Sequence, residues 1–428
     1  MTSHSRLLAA LVGSMLALSA CEGSGAHAIG PKGSDAFTRF VSIGTGLSMG
    51  AQSGGVLYDA QSGAWPALVA RRAGAAFTTP LLRAPGCTPP LVAPLQLARF
   101  LSGASTAVRD PSCAGALGTG TPPFNNLAIS GATAWAALNL TPKVIAATPA
   151  GRDAGDQARY PLVLGSTQSQ VTAMIIEQPT LVAVELGLVE VLGAVTSGLL
   201  VPAASYTQAT PFTYVPAALF APVYAEIADS VKQHTAARVV LLSVPHVTRL
   251  YAVRSAAELW ADRAVLATFG VAVAPDCSTS TNFVFTPSIV PGLAARATVA
   301  LAPQPLSCAD VPGIADAVLT PGDIATLDAV VDKMNVQIRQ LAAGNGWAFA
   351  DLDAEVSSFA SARGPYRAAE ELACVYPYGA YFSLDGVHPG ALGHQAIANV
   401  VAEAINAKYA FEIPVFTAPA ITRVLLCP

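Results

Sequence analysis

Near its C-terminus the chain reads Tyr381-Phe382-Ser383-Leu384-Asp385-Gly386-Val387-His388-Pro389-Gly390, with a carboxylate and an imidazole three residues apart. An acid that accepts from one ring nitrogen fixes the tautomer, which leaves the other nitrogen to take a proton from water or an alcohol. A surface loop with a structural histidine would show the same spacing. A second place with chemical potential is the corner Ile43-Gly44-Thr45-Gly46-Leu47-Ser48-Met49-Gly50. An apolar run that breaks on glycines and restarts as a helix either binds a phosphate or presents a nucleophile. Gly44, Gly46 and Gly50 make a dinucleotide fingerprint one residue too long. The acid expected about 20 residues on is missing, since Asp59 comes too early.

These residues need elements to hold them. Five apolar, β-branched-rich runs cover 40–43, 127–130, 180–185, 238–243 and 347–352. Their wide spacing and intervening helical patterns favour parallel crossovers over hairpins. The clearest helix begins at Thr320-Pro321-Gly322-Asp323, with a threonine cap and proline in its first turn. It carries an apolar stripe of Ile324, Leu327, Val331, Met334, Ile338 and Leu341, and Gly344 is the expected stop. A last helix is expected over Ala391–Tyr409. The order predicts a doubly wound α/β sheet of about five parallel strands with its site at their carboxyl ends. Three stretches, 78–121, 194–236 and 253–319, are rich in Pro, Gly, Ser and Thr and read as insertions walling the site.

The 428 residues carry a net charge of only −4, with 12% charged and 53% hydrophobic side chains. No basic stripe or acidic tail points to nucleic acid. Residues 1–20 read as a signal peptide: His4 and Arg6, an apolar run over 7–18, then Ser19 and Ala20 before Cys21. Leu18-Ser19-Ala20-Cys21 resembles a bacterial lipobox, so Cys21 is the expected lipidation site. The expected location is the cell envelope (outer membrane or cell surface), where NAD is scarce. Residues 21–36 read as a tether and 37–428 as one domain. Six further cysteines in an exported chain allow up to three disulfides. Nearest-neighbour pairing gives Cys87–Cys113, Cys277–Cys308 and Cys374–Cys427 as the expectation, with other connectivities open.

Five blocks in order resemble the SGNH, or GDSL-type, hydrolase family: IGTGLSMG, NNLAISGATA, VAVELGLVEVLGA, VVLLSVPHVT and DGVHP. The resemblance covers most of the mature chain. It implies a flavodoxin-like three-layer fold with strand order 2-1-3-4-5 and hydrolysis of carboxylic esters, as in esterases, lipases and carbohydrate deacetylases. The implied ligand is a small-molecule ester, lipid or acylated glycan. No metal or organic cofactor is implied, and membrane contact is expected only through the lipid anchor. His388 is the implied base, Asp385 its orienting acid, and the Gly131 and Gly46 amides the implied oxyanion donors.

The chain departs from the family at two of four signature positions. Gly46 stands where the nucleophilic serine belongs, and Val189 where the oxyanion asparagine belongs. Loss of a triad serine costs on the order of 10⁶ in turnover, and loss of one oxyanion side chain roughly 10²–10³. Activity is therefore expected to be weak or lost. Three explanations remain: a pseudoenzyme that binds an acyl or glycan ligand, Ser48 as substitute nucleophile, or a water activated by the Asp385–His388 pair. Two helical residues swing a side chain by about 200°, which turns Ser48 away from His388. Of the remaining polar residues, His246 reads as a solvated loop histidine and His394 as structural. Glu190 is expected to cap or orient the loop after the third strand. Trp65 and Trp135 are expected in the core, and Asn125 and Asn126 in a turn.

Overall fold

The computed structural model describes residues 30–417 except 107–109, 149–153, 211, 363–371 and 374–377. The expected signal peptide, Cys21 and the Cys374–Cys427 pair lie outside the described residues. Four parallel strands form the central sheet: β1 (Phe40–Gly44), β2 (Leu181–Glu185), β3 (Arg238–Leu242) and β4 (Ala348–Ala350), side by side in that order. The register runs Phe40 against Leu181, Leu181 against Arg238, and Ala348 against Val240. All five residues of β1 and all five of β2 are buried, as continuous apolar strands covered on both faces must be.

The run at 127–130 is not a regular strand. It nevertheless lies parallel along the free edge of β1, with Ser42 N–H donating to Asn125 O (2.9 Å). Leu127 N–H donates to Ser42 O (2.8 Å) and Ile129 N–H to Gly44 O (3.1 Å). The 2-1-3-4-5 order thus holds, with the edge member reduced to a short ladder. Asn126, the bridge partner of Ser42, donates its backbone N–H to Thr78 O (3.0 Å) and its side-chain amide to Ser48 O (2.8 Å), which ties this edge to the next corner.

Helices carry the crossovers and cover the sheet. In chain order they are α1 (Gly46–Met49), α2 (Trp65–Arg72), α3 (Ala134–Asn139), α4 (Gln170–Ile176), α5 (Val189–Ser197), α6 (Ala217–His234), α7 (Pro321–Asn345) and α8 (Ala391–Tyr409). α2 packs on α8, while α6 packs against α3, α4 and α7. α6 falls within 194–236, so that stretch contributes a crossover helix with Phe220, Tyr224, Ile227 and Val231 in the core. Thr320 caps α7 through a reciprocal pair with Asp323, and the apolar stripe buries Leu327, Val331, Met334 and Ile338. α7 outlasts the expected stop at Gly344 and ends at Gly346, whose φ of +69° is the left-handed turn a chain leaving a helix needs.

Two disulfides stand as expected. Cys87–Cys113 ties together the irregular stretch after α2, and Cys277–Cys308 lies inside a second apolar cluster with Leu259, Leu266, Val284, Val290 and Leu306. The stretch 253–319 is therefore a small layered unit with its own core. It contains an antiparallel sheet of Val253–Ser255, Phe283–Phe285 and Val318–Leu319. Trp65 is fully buried, and Trp135 packs on the main core from its edge. Among the described residues, no helix is long and apolar enough to cross a membrane.

Candidate active site

The parallel sheet delivers every candidate residue to one edge. β1 ends at Gly44 and turns into α1, the edge ladder ends at Ser130, and β2 ends at Glu185. The loop before α8 carries Asp385 and His388. Asp385 Oδ2 lies 2.6 Å from His388 Nδ1, and both side chains are 14% exposed. The carboxylate is itself held firmly. Its Oδ1 accepts from Val387 N–H (3.0 Å), His388 N–H (2.9 Å) and the Ser383 hydroxyl (3.2 Å), and Oδ2 accepts from Gly54 N–H (2.6 Å).

Burial opposes a charged imidazolium, but the Asp385 charge and hydrogen bond outweigh it, aided by the Glu185 carboxylate. The His388 pKa is held above the ordinary histidine value. Burial also pushes the Asp385 carboxyl up, yet the His388 charge, its hydrogen bond and two backbone N–H groups bring it below the usual range. The pair is a fixed acid–imidazole unit with Nδ1 engaged and Nε2 directed away from Asp385. Among the described residues, Nε2 has no hydrogen-bond partner.

Nε2 faces position 46. A β-carbon added to Gly46 would lie 2.7 Å from it, 3.1 Å from Ala51 Cβ and 3.1 Å from Ser130 Oγ. The glycine therefore occupies the place where a side chain would meet the base, and the base has closed on the space. Neither Gly46 N–H nor Gly131 N–H donates to an acceptor among the described residues. Gly131 has φ +86° and is exposed, while Gly46 is buried beside His388, so each amide is left with hydrogen-bonding capacity to spare. Val189 opens α5 and is half-buried, and it brings no donor.

Ser48 does not reach this site. Its hydroxyl donates to Glu185 Oε2 (3.0 Å), and the same carboxylate accepts from Ser48 N–H (3.2 Å), Thr45 N–H (2.9 Å) and Thr45 Oγ1 (2.8 Å). Glu185 thus straps the first turn of α1 to the end of β2. Burial raises its pKa to about 7 despite these bonds. Glu190 belongs to α5 but reaches across to the start of α3, accepting from Ala134 N–H (2.7 Å) and from the Tyr206 hydroxyl (3.3 Å). It thus caps the neighbouring α3, and not the loop after the third strand where it was expected to act, and burial raises its pKa to about 7.

His246 is not a solvated loop residue. It is 3% exposed, with Nδ1 2.7 Å from Asp353 and Nε2 3.3 Å from Asp332. The loops after β3 and β4 converge there, and the exposed Asp332 reaches the ring from α7. His394 is fully buried, and burial lowers its pKa to about 3, so it stays neutral within α8. Asn125 braces a turn by accepting from Thr78 N–H and donating to Phe40 O.

Four residues of the site escaped sequence reasoning. Ser383 and Gly54 fix Asp385, Glu185 fixes the α1 corner, and Ser130 borders the space at position 46. Only Ser130 carried a usable signal, its place immediately before the turn glycine of a loop at a strand end. Among the described residues, no group of three His, Cys, Asp or Glu could hold a metal ion. A surface groove of about 840 Å³ between α6 and α7, with Tyr214, Ala217, Val330 and Lys333 in its wall, is separate from this cluster.

No protein-family model matches the chain, and no curated protein matches it. Solved structures give remote likenesses. A GDSL-like lipase from Parabacteroides merdae is 12% identical, with 86% of this chain and 95% of that chain covered at a TM-score of 0.33. A catalytic mutant of an acetylxylan esterase from Geobacillus stearothermophilus is 12% identical (88% and 96% covered, TM-score 0.35). An extracellular lipase from Streptomyces rimosus is 14% identical (85% and 98% covered, TM-score 0.35). At these scores they carry no argument about this chain, and the functional reading rests on its own geometry.

Proposed function

We propose that this chain is a carboxylic ester hydrolase of the SGNH type, acting on a small ester, lipid or acylated glycan. One observation supports the reading above the others. The Asp385–His388 pair, joined at 2.6 Å, presents Nε2 to the space beside Gly46, whose N–H, like that of Gly131, has no acceptor among the described residues. In this reading Asp385 orients the ring, and His388 takes a proton from the attacking oxygen and returns it to the leaving alkoxide. Gly46 and Gly131 N–H receive the negative charge that develops on the carbonyl oxygen. Turnover is slow, because position 46 supplies no hydroxyl and Val189 no third donor. Those two residues also favour a second reading, a protein that binds an acyl or glycan ligand in this place and releases it unchanged.

Hydrolysis of a short-chain p-nitrophenyl ester by the full chain in detergent, beside His388→Ala, separates the two. Turnover that exceeds the His388→Ala rate supports the hydrolase. Equal rates, together with saturable binding of an acylated sugar, support the binding protein.

A further inference from the structure

The hydrolase reading leaves the attacking oxygen unassigned, and the structure offers one in a corner other than α1. We propose that Ser130 is the nucleophile, transplanted from the β1 corner to the turn that ends the edge ladder. The inference rests on the hydrolase reading and names the residue that makes it covalent.

Four observations converge on Ser130. Its Oγ and His388 Nε2 border the same point, 3.1 Å and 2.7 Å respectively from where a β-carbon of residue 46 would lie. The absence of that side chain is what lets the hydroxyl and the base face each other. Serine χ1 has three staggered wells, so Oγ can change position at this border without moving the backbone. Catalytic hydrogen bonds are commonly longer without substrate than with it.

Next, the backbone holds Ser130 at a tight turn. Ala132 N–H donates to Ile129 O (3.0 Å), and the positive φ of Gly131 at the third position makes this a type II turn with Ser130 at its second position. Ser130 N–H is anchored to Met49 Sδ (3.2 Å) at the end of α1. A nucleophile at a strand-end turn, followed by a residue whose N–H serves the oxyanion, is the arrangement strand-to-helix elbows use. Here Gly131 N–H plays that part, with Gly46 N–H opposite.

Third, the hydroxyl is uncommitted. Among the described residues, Ser130 Oγ has no hydrogen-bond partner, and the residue is half-buried, within reach of a ligand. Last, the nearby serines are committed elsewhere: Ser48 to Glu185, Ser53 to the Asp385 loop, and Ser383 to Asp385 and His388 O.

The chemistry balances within these groups. Ser130 Oγ attacks the ester carbonyl carbon while His388 Nε2 takes its proton. The tetrahedral oxyanion collapses, the carbon–alkoxide bond breaks, and His388 protonates the departing alcohol. Water then attacks acyl-Ser130 with His388 as base. The acyl–oxygen bond breaks, the proton returns to Ser130, and a carboxylic acid leaves.

The test is labelling of the full chain in detergent with a fluorophosphonate, peptide mapping of the adduct, and ester turnover of the parent, Ser130→Ala and His388→Ala. We expect an adduct on Ser130 that His388→Ala abolishes, and a loss of turnover in Ser130→Ala of on the order of 100-fold or more, down to the His388→Ala level. Unfolding of Ser130→Ala at the parent's temperature shows that the loss is not one of folding. His388-dependent turnover that persists in Ser130→Ala, or an adduct on another residue, overturns the Ser130 assignment and leaves the hydrolase reading standing. No His388-dependent turnover and no adduct overturns both.

Discussion

A methyl group at position 46 tests whether the base has closed on the missing side chain. Gly46 is the first residue of α1 in ordinary right-handed backbone, so alanine meets no conformational strain there. By helix propensity alone the change stabilises by up to about 1 kcal/mol. Space argues the other way. The new carbon would lie 2.7 Å from His388 Nε2, inside van der Waals contact, and 3.1 Å from both Ala51 Cβ and Ser130 Oγ. The imidazole cannot retreat freely, because Asp385 holds its other nitrogen at 2.6 Å and is itself fixed by four donors. Overpacking of this kind costs about 1–3 kcal/mol. A double-mutant cycle isolates the term: urea midpoints of the parent, Gly46→Ala, His388→Ala and the double variant. Gly46→Ala should destabilise the parent, or gain less than propensity predicts. It should then stabilise the His388→Ala background, with a coupling of about 1–3 kcal/mol. A coupling below about 0.5 kcal/mol would refute the closed geometry and weaken the case that His388 and Ser130 face each other across it.

The charge arrangement gives a pH prediction. A general base works when neutral, and Asp385 holds the His388 pKa above the ordinary value, so kcat/KM should rise through a midpoint above pH 6.5. In Asp385→Asn the burial that opposes the charged ring loses its main counterweight, and the midpoint should move down as the maximum falls. An unchanged midpoint would argue against the pairing. Glu190 has a folded pKa of about 7 against an ordinary 4.5, so its protonated form favours folding at low pH, and that contribution is lost as pH rises through 7. Glu190→Gln should gain on the order of 3 kcal/mol relative to the parent between pH 4.5 and pH 8, read from urea midpoints at the two values. Cys277 and Cys308 close a loop of 31 residues, so Cys277→Ser with Cys308→Ser should cost roughly 3–4 kcal/mol. Limited proteolysis should then cut first within 253–319. Labelled palmitate should enter the full chain in a bacterial host and be absent from Cys21→Ala; equal label in both would remove the lipid anchor.

The sheet was legible in the sequence because parallel strands buried on both faces are apolar at nearly every position. Phe40, Val41 and Ile43 in β1 and Leu181 to Val184 in β2 announce themselves as runs. The edge member was read as a run at 127–130, but its reduction to a short ladder on Ser42 and Gly44 was not legible. α6 was obscured by the loop ahead of it, whose prolines, glycines and threonines gave the whole stretch 194–236 the composition of an insertion. The α7 stop was missed by two residues because the helix runs past Gly344 to Gly346.

The candidate site divides along the same line, between what is local in sequence and what is not. Asp385 and His388 are three residues apart and belong to one loop, so their partnership could be read directly. The fate of Ser48 could be read in part, because helical geometry turns it away from His388. That Glu185 receives it, 137 residues on, could not be read. Position 46 shows the limit most clearly. In one dimension Gly46 stands where the resemblance places a serine, and the inference stops at an expected loss of function. In three dimensions the same glycine bounds a gap shared by His388 from the loop before α8, Ala51 from the segment after α1, and Ser130 from the edge ladder. A side chain there would separate Ser130 from the base, and its absence brings them into view of each other. On the proposed assignment, the glycine that supplies no hydroxyl at position 46 is the condition for admitting the one on Ser130, and a motif position alone cannot register that exchange.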